Sequence, residues 1–264
     1  MITSRQNPLI QHARAVSRGT SKELLFIEGL RLCEEAARSE LACEEVIHTE
    51  KFAADPRAAR LLAALERLKP RFHLVSEGVF ASLSDTKSPQ GIVLLAQRRA
   101  TTRATFEKSL HPNPLIVVLH GVNNPSNAGA MLRVAEAAGA TGVIATAGTT
   151  DLLSPRALRG AMGSGFRLPL WTNADFAEVV SWCGAHGIRT VSAYLAADKG
   201  HTALVWTEAY AVIMGAEAGG LEDEEARAAD ERIRIPMQPP VESLNVAVAL
   251  AVILYEAARQ RATA

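Results

Sequence analysis

Cysteine is scarce in this 264-residue sequence: Cys33, Cys43 and Cys183 are scattered and form no CxxC pair. Such a set argues for reduced thiols in a cytosol, and against both a zinc site and a disulfide framework. The seven histidines show no HExxH or comparable spacing, so each reads as a surface or satisfied core residue rather than a metal ligand. The apolar run at 246–254 is too short to span a membrane and is soon followed by Glu256, Arg259 and Arg261. The N-terminus, MITSRQNPLIQHARAVSRG, lacks the apolar core of a secretory signal. No internal repeat or low-complexity tract is present. The GxGxxG fingerprint of dinucleotide folds is also missing, which argues against a nucleotide-dependent oxidoreductase. The expectation is a soluble cytoplasmic protein with no metal and no membrane.

What is present is apolar content of 48%, enough for one large domain or two small ones. Net charge is zero but uneven: residues 1–111 hold 17 Lys+Arg against 13 Asp+Glu, and residues 112–264 hold 11 against 15. Ahead of Glu23 stand Arg5, Arg14, Arg18 and Lys22 with no acid. That is a basic arm able to sit against phosphates, or else a solvated terminus.

Over residues 24–97 strand and helix patterns alternate. LLFIE, CEEVIHT, RFHLVS and GIVLLAQ read as strands, and LRLCEEAARS, DPRAARLLAALERLK and EGVFASLSD as helices. This predicts a compact α/β domain over 1–100, suited to binding because no catalytic constellation stands in it. Residues 101–113 break the periodicity and read as a linker. A second alternation over 114–264 predicts a mainly parallel sheet covered by helices on both faces. Its strands are LIVVLHG, GVIAT, RTVSAYLA, AYAVIMG and 233–235; its helices are AMLRVAEAA, SPRALRGAMG, DFAEVVSWCGAHG and the apolar helix from Val246.

Three of these strands run into polar turns. VNNPSNAG offers Asn123, Asn124, Ser126 and Asn127, side chains suited to hydrogen-bonding a polar ligand. On the helix behind it Met131, Val134, Ala135 and Ala138 form an apolar stripe, and Arg133 lies on the opposite face between Ala130 and Ala137. Arg133 has room to reach a phosphate or carboxylate, or is an ordinary surface arginine. In GAEAGGLEDEE, Gly215, Gly219 and Gly220 allow tight turning and close contact with a flat ligand. Glu217, the only charge in that turn, is placed to pair with Arg133 or to receive a polar group of the ligand; otherwise the segment is a plain strand-to-helix loop. In IPMQPPVESLN, Ser243 reads as the N-cap of an all-apolar helix. Alternatively Ser243 and Asn245, with the helix's free N–H groups, wall a ligand site. Such turns can converge at the carboxyl ends of the strands. The residues alone then define a polar pocket without naming a reaction.

NNPSNAGAMLR, GAEAGGL and IPMQPPVESLNVAVALAVILYEA, in this order and spacing, resemble the three motifs of the SpoU (TrmH-like) family of RNA ribose 2′-O-methyltransferases, in the SPOUT superfamily. SRQNPLI, FIEGLRL and SDTKSPQGIV resemble that family's substrate-binding domain, related to ribosomal protein L30e. The sequence departs from the motifs at Ala218, where glycine is usual, and at Asn124, where aspartate is usual. The resemblance implies an L30e-like α/β domain over 1–100 and a SPOUT α/β domain over 114–264. The second would carry a deep trefoil knot whose loops hold S-adenosyl-L-methionine, and a homodimer would complete the site. Gly215, Ile235, Met237 and Leu244 are implied around the adenosine, with Ser243 and Asn245 at the helix start. Asn127, Arg133, Glu217, Ser243 and Asn245 form the implied catalytic set. The implied reaction carries a methyl group to a ribose 2′-hydroxyl of structured RNA, 23S ribosomal RNA ahead of transfer RNA. A non-catalytic RNA-binding relative is the alternative. A guanidinium stays protonated, so Arg133 is expected to stabilise developing negative charge rather than to take a proton.

Overall fold

The computed structural model describes every residue except Asp85, Lys87, Ala218 and Ala264. Two units emerge, residues 1–99 with 153–167 and residues 100–152 with 168–264, each organised on its own sheet.

The first unit opens with α1 (Pro8–Ser17), started by Asn7, whose side chain accepts from the Leu9 amide. There follow β1 (Leu24–Glu28), α2 (Leu30–Arg38), β2 (Cys43–Thr49), α3 (Glu50–Ala53), α4 (Pro56–Glu66), β3 (Arg71–Val75), α5 (Glu77–Phe80) and β4 (Ile92–Gln97). The Asp-Pro signal acts as expected: Asp55 Oδ1 accepts from the amides of Arg57 and Ala58 at 2.8 and 3.0 Å. The sheet order is β1-β4-β2-β3, with β4 antiparallel to β1 and β2, and β2 parallel to β3. Period-two alternation buries Phe26, Ile47, Val93 and Leu95 against Ile10, Ala13 and Val16 of α1 and Val79 and Phe80 of α5. Helices α2 and α4 pack together on the other face through Leu32, Cys33, Leu61 and Leu65.

In the second unit α6 (Arg103–Glu107) occupies the stretch expected to be a linker. Thr102 and Thr105 form its capping box, and buried Phe106 sits between the rings of Trp171 and Trp182, 6.3 and 5.7 Å away. Next come β5 (Leu115–Leu119), α7 (Pro125–Ala137) and β6 (Gly142–Thr146). Helices α8 (Pro155–Ala161) and α9 (Ser164–Arg167) cluster with the first unit. The chain then runs through β7 (Leu170–Ala174), α10 (Phe176–Ala185), β8 (Arg189–Ala193), β9 (Lys199–Gly200), β10 (Tyr210–Met214), α11 (Asp223–Arg227), β11 (Glu231–Arg234) and α12 (Val246–Arg261). The order β7-β6-β5-β10-β8-β11-β9 is parallel at each pairing. Strands β5, β6 and β10 are buried at each position, which is why they read as unbroken apolar runs. Helices α6 and α10 cover one face through Phe106, Val179 and Trp182, while α7 and α12 pack side by side.

Helix α7 starts five residues earlier than its apolar pattern predicts. Asn124 caps it by accepting from the Ser126 amide at 2.9 Å, and Pro125 follows at the first position, where its missing N–H costs nothing. An asparagine oxygen caps as an aspartate would, so the departure at Asn124 leaves this start intact. All three cysteines are free and buried, and burial pushes the Cys43 and Cys183 thiols up to about 12, leaving them inert.

The far end of α12 is latched. The Arg261 guanidinium donates to the carbonyls of Trp206, Asn113, Pro114 and Glu208, and Gln260 bonds both the Trp206 amide and the Leu204 carbonyl. Arg261→Ala leaves these carbonyls without their donor and is expected to lower unfolding free energy by roughly 2–3 kcal/mol. Urea unfolding measures it, and an unchanged midpoint would remove the latch.

Candidate active site

Strands β5 and β10 are parallel neighbours, with Leu119 level with Met214. The turns after them therefore leave the carboxyl edge of the sheet side by side. The turn after β10 folds back on itself: Ala216 and Gly220 form an antiparallel bridge, and the Gly220 amide donates to the Ala216 carbonyl at 3.1 Å. Gly219 and Gly220 hold φ of +115° and +72°, a region open to glycine. Ala218, between them and Glu217, lies outside the described residues.

This fold-back carries Glu217 to the start of α7. Its Oε1 accepts from the Asn124 amide and from Asn127 Nδ2, both at 3.1 Å, and its Oε2 accepts from the Asn123 amide at 3.2 Å. The expected pairing with Arg133 is not formed: the carboxylate is taken by three N–H donors at a helix N-terminus, where negative charge is favoured. Partial burial pulls the Glu217 carboxyl upward. Hydrogen bonds from its own backbone, Asn127, Asn123 and Asn124 outweigh that and hold the pKa below the ordinary 4.5.

The chain of bonds continues. Asn127 Oδ1 accepts from Asn245 Nδ2 at 3.2 Å, and Asn245 Oδ1 accepts from the amides of Ala247 and Val248 at 3.0 and 3.4 Å. Asn245 is thus the N-cap of α12, which corrects the expectation that Ser243 is. Capping needs a residue immediately before the first helical turn, and Ser243 stands two positions too early. The Ser243 hydroxyl is exposed and makes no hydrogen bond among the described residues.

A cavity of about 490 Å³ opens over these groups. Eight of the nine site residues expected from the sequence line it: Asn127, Gly215, Glu217, Ile235, Met237, Ser243, Leu244 and Asn245. Arg133 does not. It lies exposed on α7 with no hydrogen bond or ion pair among the described residues. The cavity also has walls that sequence reasoning missed: Tyr194 and Leu195, read as strand, lie just beyond the end of β8, which sits between β10 and β11. The Tyr194 hydroxyl donates to Asp223 of α11. Apolar residues at a strand end carry no signal of a site; only the strand order brings them there.

With its carboxylate held low, Glu217 acts as a fixed acceptor that locks the Asn127 amide, with the NH₂ toward Glu217 and the oxygen toward Asn245. Its contribution to stability is complete above the ordinary value of 4.5 and is lost as pH falls through the lower native value. Glu217→Gln is therefore expected to flatten part of the acid limb of a stability-against-pH curve. Superimposable curves for the two proteins would discard this account.

The SpoU rRNA methylase family matches residues 114–255, and the RNA 2′-O ribose methyltransferase substrate-binding family matches residues 26–101. The chain belongs to the SpoU rRNA methylase family. It is 36% identical to a 23S rRNA (guanosine-2′-O-)-methyltransferase, RlmB, of Burkholderia, over 68% of this chain and 74% of that one. A solved RNA 2′-O ribose methyltransferase matches with TM-score 0.85 and 34% identity over 99% of both chains. The AdoMet-bound rRNA methyltransferase of Sinorhizobium meliloti matches with TM-score 0.85 and 28% identity over 98% of this chain and 97% of that one. The cofactor of this SpoU methylase is S-adenosyl-L-methionine. The cavity fits it, being of small-ligand size and joining apolar Ile235 and Leu244 to the amide and hydroxyl groups of Asn127, Asn245 and Ser243. Among the described residues no cluster of His, Cys, Asp and Glu could hold a metal ion, and no helix is long and apolar enough to cross a membrane.

Proposed function

We propose that this SpoU methylase methylates the ribose 2′-hydroxyl of a guanosine in 23S ribosomal RNA, in the cytoplasm and as a homodimer. The observation that carries the reading is the bonded chain Glu217–Asn127–Asn245, which joins all three motif turns along one cavity wall. The Burkholderia relative's name supplies the RNA and the nucleoside. Bound S-adenosylmethionine supplies a methyl group on a positively charged sulfonium.

The chain's own residues orient and shield. Gly215, Ile235, Met237 and Leu244 hold the adenosine, and the free Ser243 hydroxyl and the locked Asn127 and Asn245 amides align the incoming ribose. Glu217 keeps the side-chain amide of Asn127 in one orientation, its own carboxylate being occupied by three N–H donors. Arg133, exposed on α7 and away from its own cavity, is assigned to the cavity of a second copy. There its guanidinium holds the phosphate next to the target and stabilises charge growing on the 2′-oxygen. In this reading α12 passes through the trefoil knot, and its exposed Val248 and Tyr255, two turns apart, meet the partner. Val248→Glu with Tyr255→Glu is expected to yield a monomer in analytical ultracentrifugation with methyl transfer lost; an active monomer would overturn the shared site.

The direct test incubates the protein and labelled S-adenosylmethionine with ribosomal and transfer RNA from cells lacking the gene, then maps the modified ribose. Label in a 23S guanosine 2′-O position is the expected result. Label confined to transfer RNA, or none, would reject it.

A further inference from the structure

One face of the first unit holds positive charge that the unit does not neutralise. Helices α2 and α4 leave two concavities, of about 480 and 540 Å³, that share Arg57 in their walls. The first is lined by Arg38, Arg57, Arg60 and Arg67 against Glu34 and Glu40; the second, at the start of α2, by Arg31, Lys51 and Arg57 against Asp55 and Glu77.

Two of the four wall acids are already engaged. Glu34 takes Arg57 in a two-point pair at 2.7 and 2.6 Å, a hydrogen bond that holds its carboxyl below the ordinary value. Asp55 is spent capping α4, and Arg38 pairs with Glu35 at 2.5 Å. Arg31, Lys51, Arg60 and Arg67 have no ion pair or hydrogen bond among the described residues. Glu40, Asp55 and Glu77 have no ion pair among the described residues, so four unpaired cations stand along these walls with three unpaired acids.

The arrangement is a track rather than a point. Arg57, Arg60, Ala64 and Arg67 recur at i, i+3, i+7 and i+10, along one side of α4 and on to its C-cap, Arg67. Arg60 and Arg67 are separated by about 10 Å along the axis, too far to serve one anion together. Small residues, Ala37 and Ala64, line the groove between them and let a chain approach closely. The second concavity adds the N-terminal end of α2, which has no side-chain cap; Gln90 Oε1 accepts only the first amide, that of Leu30, at 2.8 Å. On α1, across the sheet, Arg14 is spent on the Ser82 carbonyl and hydroxyl.

We propose that this α2–α4 track binds the sugar–phosphate backbone of the RNA substrate. The inference rests on the RNA-methylating reading above and adds the face that makes the contact. Two features select RNA over an acidic protein segment. The free charges are spread along a line, and guanidinium groups match phosphate oxygens in a two-point geometry.

The test uses the full chain with Arg60→Glu and Arg67→Glu together, and a companion with lysine at both positions. Both residues are exposed, and circular dichroism checks that the fold is kept. Filter binding of a 23S RNA fragment is expected to weaken at least tenfold in the glutamate variant, with the slope of log Kd against log salt shallower by about 2. The lysine variant should fall between. KM for RNA should rise while kcat and the calorimetric Kd for S-adenosylmethionine hold. Unchanged RNA affinity and salt slope, or loss confined to a protein partner, would overturn the proposal. Failure of the wild type to methylate any RNA would instead strike the parent reading, and the filter-binding comparison would still decide the track.

Discussion

Alanine in place of Arg133 is expected to cut methyl transfer by about 10²–10³-fold while S-adenosylmethionine binding stays within about twofold. The side chain is exposed on α7 and bonds to nothing in its own chain among the described residues, so its removal disturbs neither the fold nor the cavity. Its value lies in its positive charge and its planar fork of donors. Lysine at this position keeps the charge but loses the planar fork, and partial activity is the expected outcome. Single-turnover transfer measures the chemical step, and calorimetry measures cofactor affinity. Wild-type rates in Arg133→Ala would end its assignment. If two chains share each site, mixing Arg133→Ala with a cavity variant such as Asn245→Ala should restore activity that neither homodimer has.

The second large effect belongs to Gly215. A Cβ there would lie 2.3 Å from the Gly220 carbon, 2.5 Å from the Gly220 oxygen and 2.5 Å from the Leu221 nitrogen. All three are backbone atoms that no rotamer change can move. Gly215→Ala must therefore open the turn, break the Ala216–Gly220 bridge and pull Glu217 from the amides of Asn123 and Asn124. The expected cost is roughly 3 kcal/mol of stability, with at least a hundredfold loss in affinity for S-adenosylmethionine. Gly184 on α10, where an added Cβ meets nothing within 4 Å, is the control: alanine there should be neutral or slightly stabilising. Denaturant unfolding and calorimetry on both variants decide it. Intact cofactor binding in Gly215→Ala would show that the tight fold-back is not what shapes the cavity.

Much of the architecture was legible because the local rules agree with one another. Asp55-Pro56 announces α4, and unbroken apolar runs mark β5 and β10 as doubly covered parallel strands. The polar turns after β5 and β10 and before α12 were legible as well, and they line one cavity through Asn127, Glu217, Ser243 and Asn245. Misreadings came where the local signal was weak or ambiguous. At α7 the polar NNPSN looked like loop, because the apolar stripe begins only at Met131 while the cap sits seven residues earlier. Phe106 and Leu110 are too few to show a helical period over 101–113, and the two tryptophan neighbours of Phe106 lie some 65 and 76 positions later.

By itself the sequence determined the kind of elements, their order, and the three polar turns that line the cavity, because these depend on periodicity and on residue types within a few positions of one another. Only the tertiary structure decided how those turns engage. The adjacency of β5 and β10 brings Glu217 to amides more than ninety residues away, and so gives it to Asn127 rather than Arg133. The angle at which the chain enters α12 makes Asn245 the cap and leaves Ser243 free. Those outcomes turn on distances of about 3 Å between segments far apart in the chain, and no local pattern encodes such distances.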